Sequence, residues 1–320
     1  GAFVPEQLGG GGLDQVTACL IEEELGGTFI PVELGNVTPL LYACAGEQIS
    51  RFLEPALAGE RQAVLAAREP GRLRPEEWTA RADPDQEGWV LQGQKSIALR
   101  PAREDFLIVF TRSPQGMTAF LLEPVAGMQV CPAASEHGAY LLNLQGVRVG
   151  GDAILGDPGQ ALTLGAAEAP LAWVRLGARY VGIAGRLAEM AAAHAREWVS
   201  LGAPLAARPA IRQMLVDLHV DVAAARWMVY HAAWLADAGQ TTPLRQAAAQ
   251  VRLFSGEMLQ RAVDRVTMIF TGPGPSPQIE AKRLVGNLAP PEVLEFGIEQ
   301  ARAMLASGLL SVEPRHSPVA

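Results

Sequence analysis

A chain of 320 residues, 49% of them apolar and 19% charged, can bury a sizeable core as one large layered unit or as two to three coupled domains. Its 34 Asp and Glu outnumber 26 Lys and Arg, and no basic stripe breaks that balance. Nucleic acid is therefore excluded as the main partner, because phosphate neutralisation needs clustered cations. Cys19, Cys44 and Cys131 are odd in number and far apart, the pattern of a reducing, cytosolic protein, and no apolar run reaches membrane-spanning length.

The chain opens on Gly1-Ala2-Phe3-Val4-Pro5, which has neither a basic n-region nor an apolar h-region and so does not read as a signal peptide. A start without Met reads as a processed or shortened end. Gly9-Gly10-Gly11-Gly12 predicts a flexible loop, and Asp14 is suited to cap a helix running through Leu25. Glu22-Glu23-Glu24 predicts a solvated face of that helix. Residues 1–60 are expected to form an N-terminal helical domain.

Between 61 and 157 the period changes. Short strands are predicted at 88–93, 105–110, 117–122 and 140–144, separated by Gly, Pro and Asp turns. Adjacent strands without intervening helices suggest a small β-barrel or sandwich rather than a βαβ sheet, and no GxGxxG follows a strand, so nothing supports a Rossmann site.

From 158 to 308 the chain reads as helical, with a tail at 309–320. One apolar stripe runs Ile211, Leu215, Leu218, Val222, Ala225, Val229, Ala232 and Leu235. A second runs Val251, Phe254, Met258, Ala262, Val266 and Ile269. Gly202, Gly239 and Gly272, with Pro204, Pro243 and Pro273, mark the breaks, and long helices on short links predict a four-helix bundle. His194, His219 and His231 fall on separate helical stretches and show no metal spacing, so packing accounts for them. Ser200 and Ser255 have no triad context and no Gly-x-Ser-x-Gly elbow is present, which argues against hydrolase chemistry.

Near the C-terminus, Thr271-Gly272-Pro273-Gly274 is followed by Leu294-Glu295-Phe296-Gly297-Ile298-Glu299-Gln300-Ala301-Arg302. This layout resembles the C-terminal signature of the acyl-CoA dehydrogenase family, a glycine pair and then Tyr-Glu-Gly-Thr-x-Gln/Glu-x-x-Arg. Pro5-Glu6-Gln7-Leu8-Gly9-Gly10, Glu23-Glu24-Leu25, Gly93-Gln94-Lys95, Gly146-Val147-Arg148-Val149, Leu155-Gly156-Asp157-Pro158-Gly159, Gly182-Ile183-Ala184 and Ala232-Ala233-Trp234 extend the likeness over nearly the whole chain. Family members carry a further helical segment before the first of these loops, so the chain reads as shortened there. The resemblance implies an α+β, mostly α fold: N-terminal helices, a central small β-barrel and a C-terminal four-helix bundle.

It also implies a chemistry. Glu295 takes the place of the base that removes the α-proton of an acyl-CoA thioester, with FAD accepting the β-hydride. Leu294, Phe296 and Val293 would give that carboxylate apolar surroundings that raise its pKa. Arg68, Ile97, Leu99, Gly272, Gly274, Gly297 and Glu299 stand at the family's cofactor positions, most of them substituted. The flavin-wrapping Thr-Glu-Pro-x-x-Gly-Ser-Asp segment reads Arg68-Glu69-Pro70-Gly71-Arg72-Leu73-Arg74-Pro75, and the flavin-stacking Trp-Ile-Thr reads Ile97-Ala98-Leu99. Trp198-Val199-Ser200-Leu201-Gly202 replaces the Arg-x-x-Phe-Gly motif that binds pyrophosphate from the neighbouring subunit. Pro209 and Met268 replace glutamines, and Gly297 replaces a threonine. Arg68, Arg72 and Arg74 could grip a phosphate instead or form a solvated loop.

The expected partners are acyl-CoA, a second copy in a homodimer or homotetramer, a second acyl-CoA dehydrogenase-like subunit, and electron-transfer flavoprotein, with no nucleic acid and no membrane. Three readings follow: an acyl-CoA dehydrogenase, an FAD-deficient partner subunit of a heteromeric one, and a non-redox acyl-CoA binder.

Overall fold

A computed structural model describes residues 3–30, 38–72, 74–97, 100–102, 105–133, 140–270 and 298–310. These fall into two compact units. One draws on residues 1–13, 33–169 and 290–296, the other on 14–32, 170–289 and 297–320.

The first unit is built on an eight-stranded sheet: β1 (Ala63–Ala66), β2 (Arg81–Asp85), β3 (Gly88–Ile97), β4 (Phe106–Ser113), β5 (Gly116–Leu122), β6 (Met128–Pro132), β7 (Tyr140–Val149) and β8 (Ile154–Leu155). The strand order is β6-β7-β3-β2-β4-β5-β8, and β1 pairs in parallel with β4 beside β2. The sheet curls around one core, to which Val64, Ala82, Leu91, Val109, Phe120, Leu142 and Val147 each bring a side chain from a different part of the sheet. This is the barrel-like arrangement expected from the sequence. The β3–β7 ladder is the longest and carries a register shift between Leu91 and Gln92.

Four strands escaped the sequence reading, for physical reasons. In β2, only Ala82 is buried among Arg81, Asp83, Pro84 and Asp85, so there is no apolar alternation to see. Strand β6 is a half-exposed edge, β1 has four residues and β8 has two. The short helix α2 (Glu54–Ala58) follows a π-helical turn over Ile49–Leu53 and ends at Gly59 in the left-handed region.

The second unit is helical. It contains α1 (Gln15–Thr28), most of α3 (Ala161–Glu197), α4 (Pro209–Asp237), α5 (Thr241–Ile269) and α6 (Ile298–Leu310). Asp14 caps α1 as expected, accepting from the Thr17 N–H at 2.7 Å. The Asp237 carboxylate, at the end of α4, takes the next two orphan amides, Gln15 N at 2.7 Å and Val16 N at 3.0 Å.

Helix α1 approaches α3 at glycines. A Cβ on Gly182 would stand 1.8 Å from the Glu23 carbonyl, and one on Gly26 would stand 2.3 Å from the Arg179 carbonyl. Leu218, Val222, Ala225, Val229, Ala232 and Leu235 of α4 are buried, as are Val251, Met258, Ala262, Val266 and Ile269 of α5. Both predicted stripes thus face the core, with α6 packed along α5. A two-residue hairpin, β9 (Val199–Ser200) and β10 (Ala203–Pro204), links α3 to α4 through Leu201 and Gly202 at positive φ. Among the described residues, no helix is long and apolar enough to cross a membrane.

The acidic run on α1 departs from the solvated-face expectation. Glu22 is 2% exposed and paired with Arg179, while Glu23 accepts from Arg226 Nε at 2.8 Å and from the Tyr230 hydroxyl at 2.7 Å. Only Glu24 faces solvent. The period of α1 turns the first two inward, where α3 and α4 supply cations.

Candidate functional site

In the sheet unit, the Arg68–Pro75 segment and the end of β3 lie side by side, joined by the Ser96 N–H donating to the Arg68 carbonyl at 2.9 Å. At their centre is Glu69, 6% exposed. Its carboxylate accepts from the Ala80 N–H at 2.7 Å and the Thr79 N–H at 2.8 Å, with the Thr79 hydroxyl at 3.2 Å. Arg72 Nη1 lies 3.0 Å away and Lys95 Nζ 3.2 Å away. Burial alone would raise the Glu69 pKa, but the two backbone amides, joined by Lys95, outweigh it and hold the carboxyl below its ordinary value.

Lys95 is fully buried. Its Nζ donates to the Ala67 carbonyl at 2.9 Å and sits 4.9 Å from the centre of the Trp78 ring. Burial pushes its pKa down to about 8, against the opposing pull of Glu69. Arg72 also donates to the Thr79 hydroxyl, and Trp78 Nε1 donates to the Arg72 carbonyl at 3.3 Å. The sequence marked Lys95 only as part of a turn. A better signal was available, since it stands two residues before the apolar Ile97 on one strand and shares its inward phase.

The predicted site residues are distributed as follows. Ile97 is 2% exposed and belongs to the core of the curled sheet, so it turns no face outward. Arg68 is half-buried beside this cluster. Arg72, one candidate for gripping a phosphate, is committed to Glu69 and Thr79, while Arg74 is exposed and lies 3.9 Å from Glu77. Glu299 lies in the first turn of α6. Leu99, Gly272, Gly274, Glu295 and Gly297 lie outside the described residues.

In the helical unit lies Trp198, which the resemblance sets in place of a pyrophosphate-binding arginine. It stacks on His194 with centroids 5.6 Å apart, and Phe270 meets the same imidazole edge-on at 4.8 Å. Burial lowers the His194 pKa, with Glu197 opposing. His194 Nε2 has no hydrogen-bond partner among the described residues, and the ring is flanked by its two aromatic neighbours. No group of three or more His, Cys, Asp or Glu able to hold a metal occurs among the described residues.

FAD needs an aromatic face or hydroxyl donors at its ring and cations at its pyrophosphate. Three of the residues expected there do not fit that need: Ile97 is core, Arg72 is paired with Glu69, and Trp198 is stacked on His194. A cavity of about 780 Å³ in the sheet unit is lined by Gln48, Arg51, Glu123 and Asp152 among others, and by none of the predicted site residues. Its Arg51 and Glu123 are paired with each other, and Gln48 Nε2 donates to the carbonyls of Asp152 at 2.6 Å and Ile154 at 2.7 Å.

The family model for the acyl-CoA dehydrogenase C-terminal domain matches residues 165–306. The chain is 26% identical to the human mitochondrial short-chain specific acyl-CoA dehydrogenase, over 96% of its own length and 79% of that protein's. It is 25% identical to (R)-benzylsuccinyl-CoA dehydrogenase of Thauera aromatica, over 99% and 83%. The fold is similar to that of a Mycobacterium abscessus protein assigned as an acyl-CoA dehydrogenase, with a TM-score of 0.87 at 20% identity over 97% of this chain and 82% of that one. It is also similar to the FAD complex of PigA, with a TM-score of 0.83 at 20% identity over 96% and 85%.

Proposed function

The chain belongs to the acyl-CoA dehydrogenase family, and on that premise we propose that it acts in the α,β-dehydrogenation of an acyl-CoA thioester, with Glu295 as the base. The observation that carries this reading is the run of motifs in family order from Pro5 to Arg302, closing on Leu294-Glu295-Phe296. A carboxylate flanked by apolar side chains is disfavoured in its charged form. Its pKa rises toward neutrality and it becomes a competent acceptor of a carbon-bound proton. Hydrogen bonds to the thioester carbonyl lower the cost of removing that proton by stabilising the enolate oxygen.

A second reading is favoured by the flavin positions: the chain is the FAD-deficient subunit of a heteromeric acyl-CoA dehydrogenase, and a partner chain holds the flavin. Ile97 in the sheet core, Arg72 spent on Glu69 and Trp198 stacked on His194 support it. Family likeness, including the PigA–FAD complex, supports FAD as the cofactor of the assembly.

The discriminating experiment uses the purified full chain. Flavin absorbance and an FAD titration are read together with calorimetric titration of a short-chain acyl-CoA. Acyl-CoA binding without flavin, followed by activity only on adding a second family subunit, supports the partner reading. Bleaching of a bound flavin that is lost in Glu295→Gln supports the self-sufficient enzyme. Failure to bind acyl-CoA under either condition overturns both.

A further inference from the structure

Helix α3 buries a guanidinium that the chain itself leaves almost unpaired. Arg175 is 5% exposed, and its Nε makes one long hydrogen bond, to the Leu171 carbonyl at 3.4 Å. Among the described residues neither of its Nη atoms donates a hydrogen bond, and no carboxylate forms an ion pair with it. One turn further on, Arg179 is nearly as deeply buried but paired. Its Nε donates to Glu22 Oε2 at 2.8 Å, and its Nη2 lies 2.6 Å from the same oxygen.

The two guanidinium groups share one neighbourhood with Glu22 and Cys19. Burial raises the Glu22 pKa against Arg179 and, more weakly, Arg175, and it pushes the Cys19 thiol up to about 12 against Arg175. The other carboxylates acting on Cys19 are engaged: Glu23 holds Arg226 and Tyr230, and Asp237 caps α1. Glu22 is held by Arg179 alone, so one buried positive charge is left over. Helical side chains lean toward the N-terminus, which lays Arg175 over Leu171 and Ala172. Both are half-buried, so the guanidinium lies beneath a partly open apolar face. A charge buried without a counter-ion is costly, and the missing anion is one that a ligand can bring.

We propose that Arg175 is a specificity-determining residue that receives a carboxylate carried by the acyl group, so that the preferred substrate is a carboxyacyl-CoA and not one with a plain hydrocarbon chain. The inference rests on the dehydrogenase reading and names the class of acyl group which that reading leaves open. The planar fork of an arginine matches a carboxylate through two parallel hydrogen bonds, and both Nη atoms are available for them. A phosphate of CoA is larger and more strongly hydrated and calls on several donors, whereas Leu171 and Ala172 offer apolar surface only. The acyl group is the part of the thioester that leaves water for an apolar site. A carboxylate on it needs its lost hydration replaced, and a weakly hydrated guanidinium does so at low cost. A neutral acyl chain would leave Arg175 buried and unpaired, which is the physical basis of strong discrimination.

The test is calorimetric titration of the full chain and its Arg175→Met variant with succinyl-, glutaryl- and adipyl-CoA, with butyryl- and hexanoyl-CoA, and with free CoA. The expected result is that one carboxyacyl-CoA binds the parent at least about a hundredfold more tightly than the neutral thioesters do. In Arg175→Met that preference should shrink to about threefold or less, with hexanoyl-CoA and free CoA bound as before. Urea unfolding without ligand supplies the readout that a structural role would move. Removing an unpaired buried charge should leave the midpoint of Arg175→Met equal to the parent's or higher. A lowered midpoint, or a variant that fails to fold, makes Arg175 a structural partner of Glu22 and overturns the proposal. Loss of free CoA binding in Arg175→Met assigns the residue to a phosphate and overturns it too. Neutral thioesters that bind the parent as tightly as the carboxyacyl ones sink this proposal alone, whereas failure of every thioester to bind sinks the dehydrogenase reading with it.

Discussion

Each of the two units buries a carboxylate against a cation, and the pKa values of the two carboxylates move in opposite directions. Glu69, in the sheet unit, sits where a loop meets strand β2, and its oxygens accept from two backbone amides as well as from side chains. Glu22, in the middle of α1, receives only Arg179: Nε donates to Oε2 at 2.8 Å and Nη2 lies 2.6 Å from the same oxygen, while Oε1 has no partner among the described residues. Burial raises the Glu22 pKa and Arg179 does not offset it, whereas at Glu69 the amides do. The cause lies in the backbone. A helix commits its interior N–H groups to its own carbonyls, so a carboxylate buried on a helix must rely on side chains. A loop entering a strand has amides to spare, and a carboxylate placed there is solvated by the chain itself.

The sharpest way to break this contrast is to remove the better-solvated partner. Glu69→Ala leaves the Thr79 and Ala80 amides unpaired and Lys95 as a buried ammonium opposite only the Ala67 carbonyl. A loss of about 4 kcal/mol follows from an uncompensated buried charge together with orphaned amides. Urea unfolding of the full chain measures it. A loss below about 1 kcal/mol would mean that Lys95 deprotonates or the loop rearranges cheaply, and the backbone account of Glu69 would fail.

The helical pair should behave differently. Arg179→Met alone strands Glu22 and is expected to cost about 3 kcal/mol, but Arg179→Met with Glu22→Met should recover nearly all of it, because an ion pair with no further donors is readily replaced by apolar packing. The corresponding double change at Glu69 and Lys95 should recover much less, since the two amides stay unpaired. Equal recovery in both units, read from the same urea titrations, would erase the distinction.

The sequence revealed elements far better than it revealed which polar groups are buried. The stripes of α4 and α5 were legible because an apolar residue at every third or fourth place has one plausible use. Strand β2 was not, because a polar strand carries its information in the partner β3. Glu22-Glu23-Glu24 read as solvent-facing because local sequence carries no sign of Arg179, Arg226 and Tyr230, which lie more than 150 residues away. Lys95 was hidden in the same manner, since its partner Glu69 arrives from a different strand connection. For the site, family motifs named positions, and only the fold could say that Ile97 is core and Arg72 already paired.

The smallest effect is also the most diagnostic, because its sign differs between the units. The native pKa of Glu69 lies below its unfolded value of 4.5, so its contribution is complete above pH 4.5 and disappears as pH falls through the native pKa. The native pKa of Glu22 lies above 4.5, because burial disfavours its charged form. Its relative stability is greatest below pH 4.5 and declines as pH rises toward the native pKa. Glutamine mimics the uncharged form at either position. The stability advantage of the parent over Glu69→Gln should therefore shrink on acidification from pH 6 to pH 4, while its balance against Glu22→Gln should shift in the parent's favour over the same range. Each pH unit separating native and unfolded pKa values is worth about 1.4 kcal/mol, which urea midpoints resolve. Slopes of the same sign would mean that the orphaned Oε1 of Glu22 finds a donor in solution, and the difference between loop and helix would no longer explain the two carboxylates.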